Sequence, residues 1–234
     1  MSLRTLFRDR REAGCRLASS LTYHEFRAPP VVLALPRGGV PVGYEVARRL
    51  AVPLDVFIVR KLGAPGQEEL ALGAIASGGV RVLNGDVLAA LRIDRATVDR
   101  VIEAEAIELE RRERDYRGGF PLQRLDDRAV VLVDDGLATG ATMLAAVAAL
   151  RERRALRIVV AVPVGAAESC RAVRAVADDL VCVATPEPLG SVGRWYDDFE
   201  QTSDAEVHDL LLRARESRRF MYPNVPRRST RHGV

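Results

Sequence analysis

A doubly wound α/β fold, with a mainly parallel five-stranded sheet and flanking helices, is predicted by three observations. Five short runs are apolar without the polar alternation of a half-exposed strand: Val31–Leu35, Leu54–Val59, Ala129–Val133, Ile158–Val164 and Leu180–Thr185. Such strands are buried on both faces, as in parallel sheets sandwiched between helices. Segments of helical periodicity separate most of these runs. The 234 residues are 48% hydrophobic and 29% charged, enough to bury a sizeable core, and no stretch approaches the roughly 18 to 20 apolar residues of a membrane span.

The elements follow in order. Leu6, Cys15, Leu17 and Leu21 stand among charged residues and predict an N-terminal amphipathic helix. The first strand, Val31–Leu35, stops at Pro36-Arg37-Gly38-Gly39 and leads into a helix from Val40 to Leu50. Leu54–Val59 is the second strand, followed by a glycine-rich stretch from Lys61 to Gly79 expected to be mobile. A helical insertion occupies about 85–117, where Val98, Ile102, Ala106 and Leu109 form one face and Glu103, Glu105, Glu108, Arg111 and Arg112 the other. Tyr116–Gly119 and Asp126-Asp127 read as turns in a connector. Two strand–helix units come next: Ala129–Val133 with a helix from Met143, then Ile158–Val164 with a helix over Ala166–Val176, before the last strand. One domain over 1–215 is expected, with a small hood formed by the N-terminal segment and about 186–215. A basic tail would occupy 216–234.

Composition narrows the function classes. Charge interrupts the N-terminus too early for a secretory core, and Cys15, Cys170 and Cys182 include no CxxC pair. A cytoplasmic protein without disulfides or structural zinc is expected. The net charge of +3 carries no genome-binding signature, and nucleic acid is not an expected partner. Lys61 is the only lysine among 35 basic residues. A coding bias towards arginine explains the other 34 but not the exception, which marks a position where a compact ammonium is required. His24, His208 and His232 lie outside the site-bearing segments and read as surface or packing residues.

The decisive segment is Val130–Thr142, VVLVDDGLATGAT. A buried strand delivers Asp134 and Asp135 to its C-terminal end, where open α/β sheets bind their ligands. The loop of small residues, Gly136, Ala138, Gly140 and Ala141, lets backbone amides converge on a phosphate, and Thr139 and Thr142 add hydroxyls. The two acids suit vicinal hydroxyls or a hydrated Mg²⁺. Diol on one side and phosphate on the other describe a sugar phosphate. A Walker A loop would need a lysine here, and Gly136-Leu137-Ala138 breaks a dinucleotide fingerprint.

This segment resembles the signature of type I phosphoribosyltransferases, which use 5-phosphoribosyl 1-diphosphate (PRPP). The resemblance implies that Asp134 and Asp135 contact the ribose diol and, through water or PRPP, a Mg²⁺ ion. It implies that Ala138, Thr139, Gly140, Ala141 and Thr142 wrap the 5′-phosphate. Leu35–Gly39 resembles the family's diphosphate loop, with Arg37 as cation and Gly38 and Gly39 opening backbone amides to the anion. Val59–Pro65 resembles the Arg-Lys start of a catalytic loop, in which Arg60 and Lys61 would neutralise departing diphosphate. Val192–Phe199 loosely resembles the base-covering region, with Trp195 and Tyr196 as stacking candidates. The lysine that some 6-oxopurine enzymes place near the preceding strand is absent from 158–164, so the acceptor is left open. The implied activity is Mg²⁺-dependent transfer of ribose 5-phosphate to a nitrogenous base or another amine by a homodimer. The alternative is a non-catalytic regulator that senses PRPP or a nucleotide on the same fold.

Overall fold

The computed structural model describes residues 5–21, 26–91, 93–125 and 127–221. Its central sheet has five strands, all parallel, in the order β2-β1-β6-β7-β8: β1 Val31–Ala34, β2 Leu54–Val56, β6 Ala129–Val133, β7 Arg157–Val164 and β8 Asp179–Ala184. Alternate residues of the inner strands enter two different cores. Val31, Leu33, Val130, Leu132, Ile158 and Val160 pack with α5 (Ala141–Glu152) and α6 (Ala167–Arg174). Val32, Ala34, Val131, Val133, Val159 and Ala161 pack towards α1 (Arg10–Ser20), α2 (Gly39–Leu50) and α7 (Asp204–Met221). Burial on both faces is why the strands read as unbroken apolar runs.

The run Leu54–Val59 is not one strand. β2 ends at Val56, Phe57 and Ile58 cross through the core at 0% and 2% exposure, and Val59 begins a second sheet. That sheet replaces the mobile stretch expected from the glycines. β3 (Val59–Ala64), β4 (Gln67–Ala76) and β5 (Val80–Leu83) form an antiparallel meander. Its glycines serve the turns and one close approach: Gly66, Gly78 and Gly79 have positive φ, and a Cβ on Gly73 would come within 2.2 Å of the Val82 carbonyl oxygen.

The insertion comprises α3 (Gly85–Leu91) and a long α4 (Arg95–Arg117), capped by Asp94 at its start and ended by Gly118 in the left-handed region. Tyr116 and Arg117 therefore end a helix and are not turn residues. Arg117 is 3% exposed. Its guanidinium donates from Nε to Asp55 of β2 at 3.0 Å and from Nη2 to the Val56 carbonyl at 2.8 Å, so α4 is riveted to the sheet edge. Asp126 lies outside the described residues, while Asp127 sits in a turn with φ of 56°.

At the N-terminus, α1 buries Ala13, Gly14, Leu17 and Ala18, whereas Cys15 is exposed, one position off the predicted apolar face. α1 packs on α2 and the sheet, and α7 on α2 and α4. The hood is narrower than expected. Leu6 and Phe7 amides donate to the Trp195 carbonyl, and the Asp197 amide returns a bond to Phe7, which ties the N-terminal segment to the turn at Val192–Trp195. The expected boundary at 215 falls inside α7. Residues 222–234 of the basic tail, with His232, and residues 22–25, with His24, lie outside the described residues. Among the described residues, no helix is long and apolar enough to cross a membrane.

Candidate functional site

The strand order places a switch point between β1 and β6. From β1 the chain winds outwards to β2, and later returns to β6 on the other side of β1. Loops leaving two such strands diverge and open a crevice at their C-terminal ends. Here the loops are Leu35–Gly39 and Asp134–Gly140, the two segments singled out in the sequence. Ala34 pairs with Val133, and the Leu35 amide donates to the Val133 carbonyl at 2.9 Å.

The two loops touch. A Cβ on Gly38 would lie 2.0 Å from Asp135 Oδ2, and one on Gly39 would lie 2.9 Å from the Val133 carbonyl oxygen. Neither glycine is in an unusual backbone region, so space explains them. Asp134 and Asp135 are half-buried. Asp134 Oδ1 accepts from the Asp135 amide at 2.8 Å. Burial first, and then the neighbouring charge of Asp135, push the Asp134 carboxyl well above its ordinary range. Burial also raises Asp135, and the bond from Arg10 opposes that rise.

The rest of the second loop is fixed from below. Leu137 exchanges backbone bonds with Val164 and Ala166, the Ser169 hydroxyl donates to the Ala138 carbonyl, and Gly136 lies beneath Val192. Gly140 is the N-cap of α5, with φ of 78° and no side-chain cap of its own; of the first-turn amides, that of Ala141 makes a long 3.5 Å bond to the Thr139 hydroxyl. Thr139, Ala141 and Thr142 are exposed there, while Ala138 is exposed at the approach.

Arg37 is part-exposed. Its Nη1 lies 3.6 Å from Asp204 Oδ1, and the same oxygen accepts from the Tyr116 hydroxyl at 2.8 Å. Lys61 lines a cavity of about 490 Å³ together with Ala141, Thr142 and Ala145 of α5 and Asn84. Arg60 goes elsewhere: it is paired with Glu105 of α4 and stands 4.0 Å from Glu108. A strand sends successive side chains to opposite faces, so Arg60 and Lys61 do not jointly face one diphosphate in this structure.

Trp195 and Tyr196 also depart from the expectation. They are 6% and 4% exposed, in a cluster with Phe7, Ala13, Val164 and Leu189. The indole N–H donates to the Leu189 carbonyl at 2.9 Å and the phenol to the Asp135 carbonyl at 2.6 Å. Neither ring offers an open face to a base. They build the hood's small core and hold the acidic loop. His208 lies on α7 beside the Asp115 carbonyl, away from the acidic pair.

One site residue escaped the sequence reading. Asp9 caps α1 by accepting from the Glu12 amide, and this sets the direction of Arg10, whose Nε donates to Asp135 Oδ2 at 2.8 Å. Nothing local distinguishes Arg10 from the other arginines; only the fold brings it to the acidic pair.

No cluster of three or more potential metal-ligating side chains occurs among the described residues. Asp134 and Asp135 could offer oxygen to a cation, whose charge would relieve their mutual repulsion. Two carboxylates suit Mg²⁺ when water and substrate phosphates complete its shell.

A doubly wound parallel sheet, with an acidic pair and a loop of small residues at its switch point, defines the class as an α/β protein with a crevice at the C-terminal ends of its strands. Residues 8–192 match the phosphoribosyl transferase domain, and the chain belongs to that family. Over 209 residues, 89% of its length, it is 49% identical to proteins of two Mycobacterium tuberculosis strains that are provisionally named phosphoribosyl transferases. It spans about half the length of those relatives, 47%. The crystal structure of TT1426 from Thermus thermophilus is 44% identical and superposes with a TM-score of 0.80, covering 90% of this chain and 99% of that one.

Proposed function

We propose that this chain transfers ribose 5-phosphate from PRPP to a nitrogen nucleophile and releases diphosphate. The carrying observation is the contact between Gly38-Gly39 and Asp134-Asp135, beside the N-terminal end of α5. The segments read as diphosphate loop, diol acids and 5′-phosphate loop then meet at the C-terminal ends of β1 and β6.

In this reading the first-turn amides of α5, with Thr139 and Thr142, bind the 5′-phosphate and orient the ribose. Asp134 and Asp135 accept hydrogen bonds from its two hydroxyls. The anomeric C–O bond breaks with its electron pair going to diphosphate, while the acceptor nitrogen bonds to the same carbon and loses its proton to solvent. Positive charge develops on the ribose beside the carboxylates, and negative charge on the leaving group beside Arg37. Lys61, reaching across the cavity it shares with Thr142, supplies the second cation. Arg60 is assigned to holding β3 on α4 through Glu105. Mg²⁺, held by Asp134 and Asp135 with water and diphosphate oxygens, would add positive charge against the leaving group.

Arg37 would exchange Asp204 for the diphosphate when substrate enters. Association with a second copy is part of the reading, supported by Ile107 of α4, which is 72% exposed; sedimentation would test it. Cytoplasmic residence fits the free cysteines. The direct test is diphosphate release from PRPP across a panel of nucleobases and amines. Release with at least one acceptor supports the reading. PRPP binding with no release across the panel would favour the regulator instead.

A further inference from the structure

We infer that Arg10 is a positioning residue for PRPP, acting through Asp135: it fixes the carboxylate that, together with Asp134, meets the sugar hydroxyls. This rests on the proposed sugar-phosphate site and deepens it by naming what orients one of its two acids.

The Arg10 side chain is fixed on three sides. Its Nε donates to Asp135 Oδ2 at 2.8 Å, its Nη1 donates to the Glu200 carbonyl at 2.6 Å, and its guanidinium lies 3.8 Å from the Phe199 ring centroid. Arg10 and Asp135 side chains are 12% and 16% exposed, the protection under which a charge-assisted hydrogen bond is strong. The bond forms where the two loops meet, since a Cβ on Gly38 would lie 3.2 Å from Arg10 Nε. Asp135 is thereby held twice, by Arg10 at its carboxylate and by the Tyr196 hydroxyl at its carbonyl. Asp134 feels the Arg10 charge without a hydrogen bond from it among the described residues, and accepts from the Asp135 amide. A ligand bringing hydroxyls or a cation therefore finds Asp135 already oriented. Lysine could not reproduce the arrangement, because the planar fork makes the Asp135 bond, the Glu200 bond and the ring stack together.

Titration calorimetry with PRPP and MgCl₂ on wild type, Arg10→Met, Arg10→Lys, Asp135→Asn and the double variant Arg10→Met/Asp135→Asn tests this. Arg10→Met should weaken PRPP about tenfold or more, the loss expected of a buried charge-assisted bond. The double variant should bind no worse than Asp135→Asn, because both changes cut one connection. Added guanidinium ion should restore part of the PRPP affinity of an Arg10→Gly variant without raising its melting temperature, a split that a purely structural role would not give. Wild-type affinity in Arg10→Met, or losses that multiply in the double variant, would overturn the inference. If Arg10→Met does not fold, Arg10→Lys carries the test, with partial loss supporting and no loss refuting. Failure of wild type itself to bind PRPP would instead sink the underlying function, so the two failures are distinguishable.

Discussion

Arg60 and Lys61 are adjacent in sequence yet serve opposite faces of β3, Arg60 meeting Glu105 of α4 while Lys61 opens onto the cavity shared with Thr142. The pleat separates two cations that the sequence had grouped, and their substitutions should separate as well. Lys61→Ala should lower turnover with little change in melting temperature. Arg60→Ala removes a part-exposed ion pair, a stability loss of about 1 kcal/mol or less, with turnover largely kept. Steady-state diphosphate release and thermal melts on both variants check this. Equal loss of turnover in the two would put both on the substrate.

Gly38→Ala tests the contact between the loops. The backbone at Gly38 is in the ordinary helical region, so alanine meets no conformational penalty. Its methyl would, however, overlap Asp135 Oδ2 at 2.0 Å and force the carboxylate or the loop aside. Overpacking of this kind costs about 1–3 kcal/mol. PRPP affinity should fall steeply by calorimetry.

The acidic pair should make the unliganded protein less stable near neutral pH. Burial and Asp135 raise the Asp134 carboxyl above its unfolded value. Between the ordinary aspartate range, about 3.9, and that raised value, the folded chain keeps a proton that the unfolded chain has lost. Stability at this position therefore falls as pH rises through the interval. Asp134→Asn abolishes the titration and can still accept the Asp135 amide. Its melting temperature should exceed that of wild type near pH 7, with the advantage shrinking as pH approaches the ordinary aspartate range. A wild type as stable as the variant near pH 7 would contradict the electrostatics described.

The Arg117–Asp55 pair predicts the opposite kind of effect. Both side chains are almost fully buried, and the Val56 and Gln123 amides complete the carboxylate's hydrogen bonds. Arg117→Ala leaves Asp55 charged and enclosed without its cation, a loss of about 3 kcal/mol or more. Urea denaturation should show a lower midpoint, and substrate affinity of the remaining folded protein should be near wild type.

The pattern of what was legible follows from how far each signal acts along the chain. The parallel sheet announced itself because Val31–Ala34, Val130–Val133 and Ile158–Val164 face two cores at once, a condition each strand meets through its own residues. The acidic pair and the small-residue loop after it are contiguous and needed no fold to be seen. The β3–β5 sheet was missed because its small residues and glycines carry little strand preference; its pairing, not its composition, makes it a sheet. Trp195 drew attention as a rare aromatic, but rarity does not say which way a ring faces, and Phe7, Val164 and Leu189 enclose it. Arg10 and Asp135 are 125 positions apart, and that relation exists only once α1 is laid on the sheet.

The account stands on a pentose phosphate being gripped between the ends of β1 and β6. A crystal structure of the chain with PRPP and MgCl₂ measures this directly. The sugar hydroxyls should lie against Asp134 and Asp135, the 5′-phosphate on the amides at Gly140–Thr142, and the diphosphate along Arg37–Gly39. PRPP bound at another place, with those three segments unengaged, would contradict it.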